Sequence, residues 1–287
     1  MRAVDENAQP VAHLIGASIP RSGHHFLASI LRAYYKEEIH YCGYYKVKHC
    51  CHEIPCVRRA SYKVMYQKHH DAQFDLPANL PGIRYVVQYR EPVSEALSDL
   101  ELHLKRRSTD GGTLCTSTRE RFLRWLAKKA QYYTLFHDKW VAPRSRNCFF
   151  INYSDLATNP GHTVGQLLSC FDSTFSEVRL SDAISSVAGQ RGGSSATYKP
   201  RVIEDSPHFD RHLFSVFESL IIARCPSYGF LKILDDVDYQ AHPLFDTYLS
   251  RPYRRANVNF SDILTVSPAS STLGHRPITT DFRSSEG

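Results

Sequence analysis

Three short stretches of this 287-residue chain bring together side chains that bind or move charge. The first is Pro20-Arg21-Ser22-Gly23-His24-His25-Phe26, between a short apolar run and a helical pattern. A turn built on serine and glycine leaves backbone N–H groups open at a helix N-terminus, where the helix dipole also attracts an anion. Arg21 adds a positive charge. The metal-triphosphate signature G-x-x-x-x-G-K-[ST] is absent, because Gly16 lies seven residues before Gly23 and no lysine follows. The loop suits a phosphate held without that apparatus, although a plain strand–helix turn also accounts for it in isolation. The second stretch pairs Arg90 with Ser98, eight residues on. Guanidinium plus hydroxyl is a phosphate clamp; taken alone, the pair reads more simply as a local carbonyl cap and a surface serine. The third is Lys68-His69-His70-Asp71. A histidine beside a lysine and near an anion is a candidate general base, while two surface histidines are the plain alternative.

The elements around these stretches set where they can meet. Residues 11–19 are apolar and bounded by Pro20, as expected of a buried strand. Phe26, Leu27, Ile30, Leu31 and Tyr35 then recur at helical spacing. Residues 41–60 look irregular. Strands are expected at 62–67, 83–89 and 148–153. A helix opens at Pro92, where the missing N–H costs nothing. Ser117-Thr118-Arg119-Glu120 reads as a capping box for another helix. Shorter helices are expected at 163–171 and 181–188, and a late one around Leu213 to Ile221. Strands alternating with helices predict an α/β domain over residues 1–250, a three-layer, P-loop-like fold with a central, mostly parallel sheet flanked by helices. Residues 251–287, rich in Ser, Thr, Pro and Arg, read as a poorly ordered tail. In such a sheet ligands bind at the carboxyl ends of the strands, where all three stretches fall.

Composition narrows the classes. Hydrophobic residues at 42% and charged residues at 22% exclude a disordered chain. No run of 18 apolar residues occurs, and the first eleven residues lack a signal-peptide core, so a cytoplasmic location is expected. The net charge of +6 favours an anionic ligand without implying nucleic acid. Cys42, Cys50, Cys51 and Cys56 cluster with His49 and His52 between them, and thiolate with imidazole can hold zinc. The paired C-x-x-C arrangement is missing, so ordinary buried or loop thiols are the first expectation, ahead of a metal or a redox pair.

Taken together, the loops resemble the sulfotransferases that use 3′-phosphoadenosine 5′-phosphosulfate (PAPS). In that family the first loop has the form P-[KR]-[ST]-G-[TS]-[TS]-[WFL], matched here by Pro20 to Phe26 with His24-His25 in place of hydroxyl residues. The family pattern R-[ND]-P-x-[DE]-x-x-x-S is matched by Arg90-Glu91-Pro92-Val93-Ser94-Glu95-Ala96-Leu97-Ser98, and K-[TS]-H by Lys68-His69-His70. A strand ending in Tyr-x-Asp-Leu is matched by Tyr153-Ser154-Asp155-Leu156. Four loops in the right order, spread over residues 11–230, are more specific than any one of them.

The resemblance implies transfer of a sulfuryl group from PAPS to an acceptor hydroxyl by in-line displacement, without a metal. It implies that Arg21 and the backbone of Ser22, Gly23, His24, His25 and Phe26 hold the 5′ phosphosulfate, and that Arg90 and Ser98 hold the 3′ phosphate. Tyr153 would join the nucleotide site, and Arg191 and Gly192 are the nearest match to the adenine-side motif. His70 would take the acceptor proton, with His69 in reserve, and Lys68 would stabilise charge. Residues 103–146 carry Lys105, Arg106, Arg107, Arg119, Arg121, Arg124, Lys128, Lys129, Lys139, Arg144 and Arg146 against Asp110, Glu120 and Asp138, a local excess of eight. Such a region could guide an acidic glycan or lipid headgroup, or be a solvated helix face. The rival readings are a nucleotide kinase, which would want the missing loop lysine, and a non-catalytic nucleotide- or glycan-binding module, which needs no base. No stable nucleic-acid partner is expected.

Overall fold

The computed structural model describes residues 12–43, 51–58, 62–109, 119–189, 203–206, 209–234, 247, 249–250 and 253, with the backbone alone at 103–109, 119–121, 189 and 204. Five strands form one sheet: β1 Ala12–Ser18, β2 Ile39–Cys42, β3 Val64–His69, β4 Ile83–Tyr89 and β5 Cys148–Asn152. Their order is β2-β3-β1-β4-β5 and every pairing is parallel. Helices α1 His24–Tyr35, α2 Pro92–Thr109, α3 Arg119–Phe136, α4 Tyr153–Thr158, α5 Pro160–Ser169, α6 Glu177–Gly189 and α7 Arg211–Arg224 complete it, with a π-turn, His137–Val141, prolonging α3. The expected α/β fold is the observed one, with a wholly parallel sheet. Among the described residues, no helix is long and apolar enough to cross a membrane.

A parallel sheet buries both faces, and alternate residues of each strand feed two cores. Ile15 and Ala17 of β1 with Tyr85 and Val87 of β4 pack against α2, α3 and α7 through Leu97, Leu126, Phe136 and Phe217. Leu14 and Val86 point the other way, onto Leu27, Ile30 and Leu31 of α1 and Leu167 and Leu168 of α5. Each such side chain stabilises the fold by about 1.5–3 kcal/mol when fully buried.

The register brings the strand ends level. Ala17 pairs with His69 across β1 and β3, Ser18 with Gln88 across β1 and β4, and Tyr89 with Asn152 across β4 and β5. The chain steps from β3 over β1 to β4, so the loops after β1, β3 and β4 open side by side at one edge.

Several local expectations shift. Ile39–Cys42 is a strand that pairs with β3; its four residues are too few to show a pattern, and part of it fell in the segment read as irregular. Tyr153 opens α4 instead of closing β5, because the Asn152 side chain caps that helix by accepting from the Ser154 N–H at 3.0 Å. The helix read at 163–171 is Pro160–Ser169, capped by Asn159. The Ser117 capping box, Arg191, Gly192 and all but Tyr253 of the tail lie outside the described residues. Tyr253 packs its ring 5.6 Å from that of Phe74 and 6.4 Å from that of Tyr132.

Candidate functional site

The turn after β1 is the floor of the site. Arg21 (φ 66°) and Gly23 (φ 81°) both adopt left-handed backbone on either side of buried Ser22. Such a turn lines consecutive N–H groups toward one point. At Arg21 it costs on the order of 1 kcal/mol. Gly23 is required twice over, by its φ and because a Cβ there would lie 2.5 Å from Cδ2 of Tyr153. Gly23 occupies the cap position of α1 and no side chain caps the helix. A helix N-terminus of this kind attracts negative charge.

His24 points inward from this turn. It is 4% exposed, stacks on Tyr66 with ring centroids 5.0 Å apart, and has Nδ1 3.1 Å from the Tyr66 hydroxyl. That hydroxyl also donates to Gln88 Oε1 at 3.1 Å, so it accepts from the His24 Nδ1–H. Burial, then the charge of Lys68, holds the His24 pKa well below its ordinary value. Gly16 makes the room: a Cβ there would sit 2.8 Å from the Tyr66 hydroxyl and 2.9 Å from His24 Cε1.

The end of β3 supplies the other imidazole and an amine. Lys68 and His70 share one face of the strand and His69 takes the other. Lys68 Nζ lies 3.3 Å from His25 Nε2, and burial lowers the lysine pKa. His70 Nδ1 is 2.9 Å from the Ser18 carbonyl oxygen and 3.0 Å from Ser18 Oγ. A carbonyl only accepts, so the proton sits on Nδ1 and the lone pair on Nε2. Burial, then Lys68, lowers the His70 pKa to about 4, against a raising contribution from the Ser18 carbonyl. The ring centroids of His24 and His70 are 6.3 Å apart. The backbone of His70 is fixed as well, since its carbonyl accepts from Tyr132 Oη at 2.6 Å. Fully buried Asp71 next door accepts from Leu76 N–H, Trp140 Nε1 and Lys139 Nζ at 2.9, 2.7 and 2.7 Å. His69, the reserve candidate, is buried, and its Nδ1 accepts from the Asp71 N–H at 2.8 Å.

The loop after β4 closes the third side. Arg21 Nε donates to Ser98 Oγ at 3.0 Å, and Arg90 Nη1 donates to the Arg21 carbonyl at 3.3 Å. The Arg90 guanidinium lies over the Tyr153 ring at 4.4 Å, a cation–π contact. Its carbonyl accepts from Tyr133 Oη at 3.0 Å. The residues quoted from four separate loops thus lie together at one site, where Arg21 leans on Ser98. Three buried polar atoms in it lack a hydrogen bond of normal geometry: Ser22 Oγ, His24 Nε2 and Arg90 Nε. Arg21, Lys68 and Arg90 make no ion pair with a carboxylate of any described residue.

Ser18, Tyr66, Gln88, Tyr132 and Tyr133 support the site and escaped sequence reasoning. Each acts across strand or helix neighbours, and the only signal was the polar character of Ser18, Gln67 and Gln88 in otherwise apolar strands. The basic region fares differently. Lys129 is buried between Glu95 and Asp99, at 2.6 Å from each. Lys139 is bound to Asp71, and Arg144 donates to the Ser227 carbonyl at 2.5 Å. Lys129 and Lys139 are tied to buried carboxylates within the fold, while Arg144 stays exposed. The side chains of Lys105, Arg106, Arg107, Arg119 and Arg121 lie outside the described residues.

No family model matches the chain, and no curated protein matches it. Among solved structures, the chain is similar to the crystal structure of mouse sulfotransferase SULT7A1 complexed with PAP, at 12% identity and a TM-score of 0.49, over 75% of this chain and 84% of that one. A likeness of that size assigns neither ligand nor reaction to this chain.

Proposed function

We propose that the chain binds PAPS at this site and transfers its sulfuryl group to an acceptor hydroxyl. The observation that carries the reading is the presence of three cations, Arg21, Lys68 and Arg90, with no carboxylate of a described residue within ion-pair distance. They stand among neutral imidazoles above an uncapped helix N-terminus. Such a set calls for an external ligand with more than one anionic group. PAPS has two, and the motifs that resemble the PAPS sulfotransferases are the ones that meet here.

In this reading Arg90 and Ser98 hold the 3′ phosphate, with Arg90 Nε as the unmet donor. Arg21, touching Ser98, spans toward the 5′ end. The N–H groups of the α1 first turn, with Lys68 and His25, hold the phosphosulfate. The acceptor oxygen attacks sulfur, the bond from sulfur to the 5′ phosphate oxygen breaks, and 3′-phosphoadenosine 5′-phosphate (PAP) leaves. The acceptor proton passes to His70 Nε2, whose tautomer the Ser18 carbonyl sets. Lys68 lies where charge grows on the sulfuryl and leaving oxygens. A sulfuryl group carries less charge than a terminal phosphoryl, so protein cations suffice.

Thermal-shift titration with PAP, AMP and ATP tests the assignment. Stabilisation by PAP well beyond that by AMP is expected, since only PAP fills both anion positions. Equal shifts for AMP and PAP, or a preference for ATP with magnesium, would defeat it in favour of a general nucleotide site or a kinase. Labelled sulfate donor screened against glycans, lipids and phenols then identifies the acceptor.

A further inference from the structure

Away from this site the fold gathers three thiols. Cys42 ends β2, and Cys51 and Cys56 follow in the next described stretch. Their sulfurs all lie within 4.8 Å of one another, with Cys51 and Cys56 3.5 Å apart. A disulfide needs about 2.05 Å. Two thiolates on one tetrahedral zinc at about 2.3 Å from each sulfur stand about 3.8 Å apart, which these separations bracket. None of the three is in a disulfide.

The trio is held in place. Cys42 and Cys56 are 4% and 1% exposed and pack on buried Met65, while Cys51 is partly exposed and gives an entry path. Gln67, fully buried on β3, uses both ends of its amide on the loop carrying two of the thiols. Its Oε1 accepts from the Cys56 N–H at 3.1 Å, and its Nε2 donates to the Glu53 carbonyl at 2.7 Å. Sequence spacing hid this arrangement, because the thiols are nine and five residues apart and form no C-x-x-C pair. They meet because β2 pairs with β3.

We propose that Cys42, Cys51 and Cys56 form a three-thiolate site for Zn²⁺, separate from the proposed nucleotide site. Thiolate donors select zinc over magnesium or calcium. Binding releases the thiol protons to solvent. Among the described residues, no His, Asp or Glu atom joins the group at that radius. The metal clasps the end of β2 to the following loop and, through Gln67, to β3 one residue before Lys68. It therefore steadies the strand that carries the proposed base without touching the reaction.

The test uses the full chain, expressed with zinc and purified under reductant. Mass spectrometry of bound metal is expected to give one zinc per chain, and exchange to Co²⁺ is expected to give thiolate-to-cobalt charge-transfer absorption in the near ultraviolet. Cys42→Ser, Cys51→Ser and Cys56→Ser should each bind metal at least about tenfold more weakly, since even an outer partner of a ligand is worth that much. Cys148→Ser and Cys225→Ser should keep it. Circular dichroism checks the two buried variants for folding; Cys51→Ser, at the partly exposed member, decides by itself. A reduced chain that takes up neither zinc nor cobalt overturns the proposal. So does a metal content that Cys51→Ser leaves unchanged, or a Cys51–Cys56 disulfide found under reductant.

Discussion

Two lysines of this molecule, one buried and one half-buried, live in opposite surroundings. Lys129, between α2 and α3, has Glu95 and Asp99 each at 2.6 Å, and although burial opposes it, those two carboxylates raise its pKa. Among the described residues Lys68, near the end of β3, meets the imidazole of His25 at 3.3 Å and no carboxylate, and burial lowers its pKa. The first cation is neutralised by its own chain and serves packing. The second meets no carboxylate among the described residues, and in the proposed reading it awaits the charge of the ligand. Glu95 makes the same point from the acidic side: burial, only partly offset by Lys129, pushes its pKa up to about 7. Counting basic residues along the sequence cannot separate these cases; the location of the carboxylates does.

Removing the proposed base should have the largest effect. His70→Ala is expected to lower kcat by roughly 10²–10⁴-fold with PAP affinity nearly unchanged in calorimetry; near-normal turnover would take the base assignment away. Next comes the lysine contrast itself. Lys129→Met leaves Glu95 and Asp99 buried without their partner and should cost about 3–5 kcal/mol in urea denaturation. Lys68→Met should cost less than about 1 kcal/mol yet slow turnover. If both variants lose the same stability, the distinction between the two regions fails.

Arg90→Ala should weaken PAP by about 10- to 100-fold, the worth of a hydrogen bond to a charged group, and AMP hardly at all. A uniform loss would place Arg90 elsewhere than the 3′ phosphate. The last prediction concerns pH. His70 titrates near 4 in the folded chain, against about 6.5 when unfolded. The unfolded chain then binds the proton first, so stability is full above about pH 6.5 and falls as pH drops toward 4. Melting curves at descending pH should show this, with PAP restoring part of the loss. The acid limb of kcat/KM should lie below 6.5; a limb at 6.5 or above would mean that a different group accepts the proton.

Much of the site was legible because its motifs are local. A strand, a tight turn and a helix with Ser22 and Gly23 mark the proposed anion loop, and Arg90 and Ser98 follow the same logic one strand over. The strand β2 was missed because Ile39 to Cys42 is too short to show a period. Tyr153 was placed on a strand because the Asn152 cap that starts α4 looks the same in a string of letters. Lys129 and Lys139 were counted with a basic surface because their partners, Glu95 and Asp71, come from distant parts of the chain.

The order of residues alone determined the alternation of strand and helix, the parallel sheet that follows from it and the chemistry stored in each loop, since these depend on short-range periodicity and turn stereochemistry. Tertiary structure decided which charges are answered from within. It also brought Arg21 onto Ser98, set the His70 tautomer through the Ser18 carbonyl, and gathered three cysteines at one strand edge. Those outcomes depend on register and on crossings between strands far apart in the chain, and burial magnifies each of them because an unmatched polar group costs most where water is excluded.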